Sequence, residues 1–371
     1  MDVLNNIWEF YMAQDFANRF ISAIIVFLIV MSLLLLLGIL ISRTLQNRWE
    51  KREEHWHAVF QELLVQLLFD PEYARGGKKY KDVVIKYKAN KLDWIARKTL
   101  IEQMMELHKG VKGDSAVIVK QFYRDIGLVK FQEEMITRGP WYKKAQAFRI
   151  YSEFAVIEKV KLIEKFVDHP NKVLRSEAQY AVVSILGAEG LKFVPKLKSP
   201  ISEWEQLVLL EKLVKFKPED IPNVLSWLDS KNDSVVIFAT KIIHQFRLFD
   251  AQNKLLELLD HKNLEVVKHS IECMVRIEFK EACPVLRERY QESIDEIKIK
   301  ILDALSRLGD ASNLNFFREE IETSEKFSIA MGAAMALRVL GGDSILRLLN
   351  NTELKYPKGN EIVKHALDKR I

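Results

Sequence analysis

The sequence predicts an all-α protein: a single N-terminal transmembrane helix followed by a solenoid of about eight helix pairs. Three observations predict it. A 23-residue block, Phe20 to Ser42, holds no charged residue. An interval close to 31 residues recurs through the body. The composition, 49% hydrophobic and 29% charged with 14 Gly and 9 Pro, suits a folded, helix-rich chain rather than a disordered one.

The apolar block comes first. Interrupted by Ser22, Ser32 and Gly38, it extends about 34 Å as a helix, enough for a hydrocarbon core about 30 Å thick. A secretory signal would open with basic residues and close on a small-x-small cleavage site. Here Asp2, Glu9 and Asp15 stand against one Arg19 before the block, and Arg43, Arg48, Lys51 and Arg52 follow it. A core helix would need a soluble domain wrapped around it on all sides. A retained anchor is expected, with residues 1–19 as an extracytoplasmic tail. The side richer in Lys and Arg stays cytoplasmic, which puts the C-terminal body inside an inner membrane and the N-terminus outside. Trp8, Phe10, Tyr11 and Phe16 in the tail suit the interfacial belt or a partner contact.

Residues 43–112 form a juxtamembrane region: a helix continuing to about Leu68, a loop, and a helix near 91–108. The net charge of +5 is concentrated here. Residues 1–42 carry −2, and between Glu72 and Lys98 nine bases face three acids. Arg43, Arg48, Arg75, Lys78, Lys79, Lys81, Lys86, Lys88 and Lys91 are therefore candidate contacts for anionic lipid headgroups, to which each base near the surface contributes about 1 kcal/mol. A solvated basic loop that only enforces topology is the alternative. Tyr73, Tyr80 and Tyr87 interleave with the bases as in a nucleic-acid site, but tethering argues against nucleic acid. Gly76-Gly77-Lys78 is too short for a phosphate-binding loop, which needs a preceding strand and a Lys-Ser/Thr ending.

Residues 113–350 carry the repeats. Small or aliphatic residues fall at Ala116, Ala147, Ala178, Leu207, Ala239, Ser270, Ile301 and Ala333. Three positions on stand Val119, Ile150, Ala181, Leu210, Ile242, Cys273, Ala304 and Ala336. Seven on stand Tyr123, Phe154, Ile185, Val214, Phe246, Ile277, Leu308 and Leu340. A 0, +3, +7 stripe lies on one helical face. Shorter apolar segments between the stripes supply second helices. Gly187, Gly309 and Gly341 follow first helices where a left-handed cap is wanted, and Pro195, Pro222 and Pro284 sit near the starts of second helices. Residues 351–371 end in "GNEIVKHALDKRI", a polar capping helix with Lys364, Lys369 and Arg370 at its dipole-favoured end.

The segments "NKVLRSEAQYAVVSILGAEGLKFVPKL" and "LEVVKHSIECMVRIEFKEACPVLRERY" resemble the HEAT-like repeats of the short bacterial type, a V-R-x-x-A first helix and a second helix opening V-P-x-L. The resemblance covers about 114–350. The Arg of the V-R pair stands at Arg175, becomes Lys268 and Lys298, and is lost elsewhere. It implies an α-solenoid, whose concave surface commonly binds a protein partner, and is nearly silent about chemistry; no cofactor and no small-molecule substrate is identified from the residues. Bacterial chains of this layout look like accessories of membrane machineries such as polysaccharide synthases or sensor complexes.

No catalytic constellation is legible: H-E-x-x-H, G-x-S-x-G and C-x-x-C are all missing. The chain is read as a non-enzyme. His269 and Cys273, four apart with Cys283 and His261 nearby, could form a zinc site, but Cys273 occupies a core stripe position. Two cysteines and no disulfide framework fit a reducing compartment. The expectation is a membrane-anchored scaffold whose solenoid holds a membrane-associated protein. The alternatives are an envelope component acting through its membrane helix, and an enzyme or enzyme subunit of the bilin lyase or nucleic-acid-acting kinds that similar helix pairs support.

Overall fold

The computed structural model describes residues 15–73 and 75–368, and among these the chain is all-α, with no strand. The expected tail aromatics Trp8, Phe10 and Tyr11, the Phe16 side chain, and the terminal Lys369 and Arg370 lie outside the described residues. The chain divides into two compact units, Met1–Glu134 and Met135–Ile371.

The first unit is built on α1 (Phe16–Phe69), one unbroken helix of 54 residues. At 1.5 Å per residue it is about 80 Å long. Its N-terminal half is apolar on every side, and the large side chains from Phe20 to Ile41 are exposed. This is the one helix among the described residues long and apolar enough to cross a membrane. Beyond Arg48 the pattern changes. Trp49, Trp56 and Leu63 alternate with Glu53, Phe60 and Leu67 at steps of three and four, the period of a coiled-coil seam. Phe60, Leu63, Leu64 and Leu67 are buried.

The cover on that seam is α3 (Trp94–Gly110), which packs along α1 and starts where the Asp93 carboxylate accepts the Ala96 N–H at 2.8 Å. α4 (Asp114–Asp125) follows. The loop expected between α1 and α3 contains a further helix, α2 (Lys78–Lys86). It forms because Tyr80, Val83 and Tyr87 share one face at helical spacing, and both tyrosines are buried.

The division between units falls inside α5 (Leu128–Arg138). The second unit then alternates longer helices with shorter segments. The longer ones are α6 (Trp141–Glu153), α8 (Lys172–Leu186), α9 (Glu203–Leu213), α10 (Asp233–Phe246), α12 (Leu264–Arg276), α14 (Asp295–Leu308) and α16 (Phe327–Val339). Interleaved are α7 (Val160–Glu164), α11 (Gln252–Glu257), α13 (Cys283–Glu292), α15 (Leu314–Thr323) and α17 (Asp343–Leu349), with α18 (Gly359–Leu367) packed on α16 and α17. The longer helices pack on their successors, α6 on α8, α8 on α9, α10 on α12, α12 on α14 and α14 on α16.

Two second segments depart from the expected α-helix: Gly187–Lys196 and Val224–Asp229 are 3-10 helices. Pro195 lies inside the first and Pro222 just before the second, and a proline denies the backbone N–H that an α-helical turn requires. Gly190 also holds the first segment close to α8, where a Cβ would come within 2.7 Å of the Val182 carbonyl. Only Pro284 sits in the first turn of an α-helix as anticipated.

Of the expected stripe positions, those of α6, α10, α12 and α14 are all buried. The unit at α9 is a correction. Leu207 is 55% exposed and Val214 70% exposed, and the buried stripe runs one residue earlier through Gln206, Leu209 and Leu213. Gln206 occupies the small-residue position, and its amide Nε2 donates to the Ile201 and Ser234 carbonyls at 3.1 and 3.3 Å, so its buried N–H groups find acceptors.

Helix ends repeat as regularly as helix faces. The N–H groups of Val156, Leu248, Phe279 and Gly342 each reach back to the carbonyl five residues earlier, at 2.9 to 3.1 Å, after a residue with φ between 49° and 78°. Those residues are Ala155, Arg247, Glu278 and Gly341. This is the Schellman closure, used here with three non-glycine residues. Gly187 is also left-handed, at φ 66°, whereas Gly309 has φ −75° and is not.

Candidate functional site

Two surfaces emerge, one on each unit. On the first, the basic run is strung along α1. The chain leaves the far end of α1 at Phe69, and Lys79 pairs with Glu72. Tyr80 donates its hydroxyl to Asp125 at 2.7 Å, and burial together with that bond holds the phenol well above its ordinary pKa. Arg75 lies 3.8 Å from the same carboxylate. The run then travels back along α1. The Tyr87 ring meets Phe60 edge-on at 5.6 Å, Asp93 pairs with Arg52, and Trp94 meets Trp49 edge-on at 6.0 Å. From there α3 turns and runs parallel to α1, as Lys98 reaches Glu53 at 3.1 Å and Gln103 reaches the His57 carbonyl at 2.8 Å.

The sequence-predicted lipid contacts therefore stand at different heights on one rod. Arg43 and Arg48 are exposed on α1 itself. Lys78, Lys79, Lys81 and Lys86 are exposed on α2, with Lys86 4.8 Å from the Tyr87 ring centre and its pKa raised by the hydrogen bond to that phenol. Lys88 and Lys91 are exposed in the turn leading to α3. Sequence reasoning missed the Trp49–Trp94 pair, in which the indoles are 51% and 44% exposed. Its signal was available: Trp49 begins the heptad seam, and Trp94 follows the Asp93 cap.

On the second unit, the starts of four of the longer helices form a polar edge. Asn171, Ser202, Asn232 and Asn263 cap α8, α9, α10 and α12. Each caps its own helix through a side-chain oxygen, and some also tie neighbours together. Asn232 donates to the Leu197 and Ser199 carbonyls at 3.2 and 3.0 Å, and Asn263 donates to Asp233 at 2.7 Å. A groove of about 900 Å³ runs along this edge, lined by Lys198, Glu203, Lys231, Asp233, Glu265 and His269 among others. On α9 beside it, Trp204 is 73% exposed.

The residues weighed for chemistry fall into structural roles. Cys273 is buried, its thiol donates to the Thr240 carbonyl at 3.4 Å, and burial pushes its pKa up to about 12. Cys283 is half-buried at the start of α13, and His261 accepts the Asn263 N–H at 3.1 Å. Among the described residues no three of His, Cys, Asp and Glu converge to hold a metal ion. Burial holds the His269 and His244 rings below the ordinary imidazole pKa, Lys241 adding to the effect at His269 and Arg276 at His244. His55 and His57 are exposed on α1. The Arg of the V-R pair, Arg175, is buried and donates to the His169 carbonyl at 2.9 Å, while Lys268 pairs with Glu265 at 2.7 Å and with Glu296. Glu320 accepts the Tyr290 hydroxyl at 2.6 Å.

No protein-family model and no curated protein matches the chain. Among solved structures it is similar to two engineered proteins determined by the Northeast Structural Genomics Consortium. One is 16% identical with a TM-score of 0.35, over 77% of this chain and 87% of that one. The other is 16% identical with a TM-score of 0.19, over 71% of this chain and 95% of that one. Neither likeness bears on function. The chain is an all-helical protein of many helices packed against one another, compatible with a helical-repeat solenoid.

Proposed function

We propose that this chain is a membrane-anchored scaffold: residues 20–42 cross the inner membrane, the N-terminus lies outside, and a cytoplasmic HEAT-like solenoid binds a membrane-associated protein. The observation that carries the reading is α1, whose exposed, uniformly apolar half passes without a break into a half that a folded domain grips. Such a helix suits a permanent anchor joined rigidly to a soluble body. The recurring caps and helix-to-helix packing of the second unit support a repeat array, and in such arrays each unit contacts only its neighbours and leaves extended surface for partners. The groove beside Trp204 offers a polar cleft next to an exposed aromatic anchor. Confining both partners to one membrane raises their effective concentration, so a weak contact stays occupied.

The test exchanges residues 1–42 for an unrelated anchor and places a photo-crosslinking residue at Trp204 in living cells. Recovery of the same partner with either anchor supports the scaffold. Loss of the partner on anchor exchange favours the envelope component acting through its membrane helix. Protease added to sealed right-side-out vesicles should leave the body intact.

A further inference from the structure

The nine candidate lipid-contacting bases cannot all reach one surface, and the geometry of the first unit divides them. Taking Arg43 as the end of the apolar half and 1.5 Å per residue, Trp49 lies about 9 Å along α1, Arg52 about 14 Å, Phe60 about 26 Å and Phe69 about 39 Å. The contacts already described tie the basic run to these heights: Trp94 to Trp49, Asp93 to Arg52, Tyr87 to Phe60, and the start of α2 to the far end through Glu72. Lys78, Lys79 and Lys81 thus stand about 30 Å or more from Arg43 by the same rise. Tilting does not close that gap. α1 contains no proline and no glycine after Gly38, and α3 splints it, so a tilt of about 20° shortens the height by only a few per cent.

The near end has a different chemistry. Trp49 and Trp94 expose large amphipathic rings, the side chains that favour the headgroup layer. Helical side chains lean toward their own N-terminus, and because α1 and α3 run parallel, both indoles lean toward the apolar half. Arg43 and Arg48 add exposed cations at that level, continuous with the apolar surface of α1.

We propose that headgroup contact is made by a clasp of Trp49, Trp94, Arg43 and Arg48, with Lys91 at its margin, and that the α2 lysines stand clear of lipid. The occupant is the anionic headgroup layer of the bilayer that α1 crosses, so the proposal rests on reading that half of α1 as the span. Its consequence is that α3 as well as α1 meets the membrane surface, which gives the protein two footholds and sets which side of α1 leans toward the lipid.

The test uses the full chain in phosphatidylcholine–phosphatidylglycerol vesicles doped with a nickel-chelating lipid. In a Cys283→Ser background, nitroxides are attached to Arg48→Cys, Lys91→Cys and Lys81→Cys in turn. Relaxation by headgroup nickel should be strongest at position 48, weaker at 91, and at 81 equal to that in vesicles without nickel. Equal relaxation at 81 and 91 overturns the division. A second measurement replaces single tryptophans: quenching by lipids brominated near the headgroup should fall in Trp94→Phe, and by more than in Trp56→Phe, whose ring lies about 20 Å along α1 from Arg43. If Trp94→Phe leaves the quenching unchanged, α3 does not reach the surface. Release of the chain from vesicles by alkaline carbonate is a separate outcome, which defeats the span itself rather than the clasp.

Discussion

The two halves of α1 have the same backbone and opposite surroundings. From Phe20 to Ser42 nearly every side chain is apolar and exposed, whereas on the far half the buried apolar residues Phe60, Leu63, Leu64 and Leu67 keep to one side, with α3 packed along the helix. The lesson is that the spacing of apolar residues, rather than their number, reports what covers a helix. A uniform surface calls for a uniform solvent, and a stripe calls for a partner helix.

The sharpest way to break the comparison is to charge the uniform half. Leu33→Lys with Leu36→Lys should disfavour insertion by about 6 kcal/mol at helix-centre values, moving the chain out of carbonate-washed membranes. Full retention there would falsify the reading of this half as a span. Next in size, Phe60→Ala on the striped half should cost about 3–5 kcal/mol, seen as a lower melting temperature in detergent and faster amide exchange in α3. Leu35→Ala on the uniform half should leave that melt within about 0.5 kcal/mol, because no protein packing is lost. Equal effects would erase the distinction. Asp93→Ala removes the α3 cap at about 1 kcal/mol and the exposed pair with Arg52 at less than about 1 kcal/mol. Asp93→Asn should recover the larger part, read from exchange at the first amides of α3.

Smallest of all, Lys98→Met should cost well under about 1 kcal/mol, and the difference should vanish in high salt, since both partners are substantially exposed. The hydrogen bond to Glu53 raises the Lys98 pKa. Its contribution is therefore complete below the unfolded value of about 10.4 and is lost as pH rises through the higher folded value. A pH-independent difference between wild type and variant would show that packing, not charge, is responsible.

Much of this architecture was legible because it is local. The end of α1 and the start of α3 came within a few residues of expectation, as each is marked by periodicity or a cap. α2 was missed because Lys78 to Lys91 reads first as charge, and the Tyr80, Val83, Tyr87 face lies beneath it. In α9 the apolar pattern points to Leu207, since nothing local reveals that the Gln206 amide N–H groups find two carbonyls. The left-handed caps at Ala155, Arg247 and Glu278 carry no glycine to mark them, yet they close the helices just as Gly341 does. On the candidate site the charges could be read but not their heights. Those depend on Trp49 meeting Trp94 and Phe60 meeting Tyr87, contacts between residues far apart in the chain.

The splint on α1 has a mechanical consequence. A helix with neither proline nor late glycine, backed along its side by a parallel companion, has no joint at which to absorb torsion. A quarter-turn or a small piston stroke applied at Trp49 would be carried along the splinted part toward Phe69, so the first unit is built like a shaft rather than a leash.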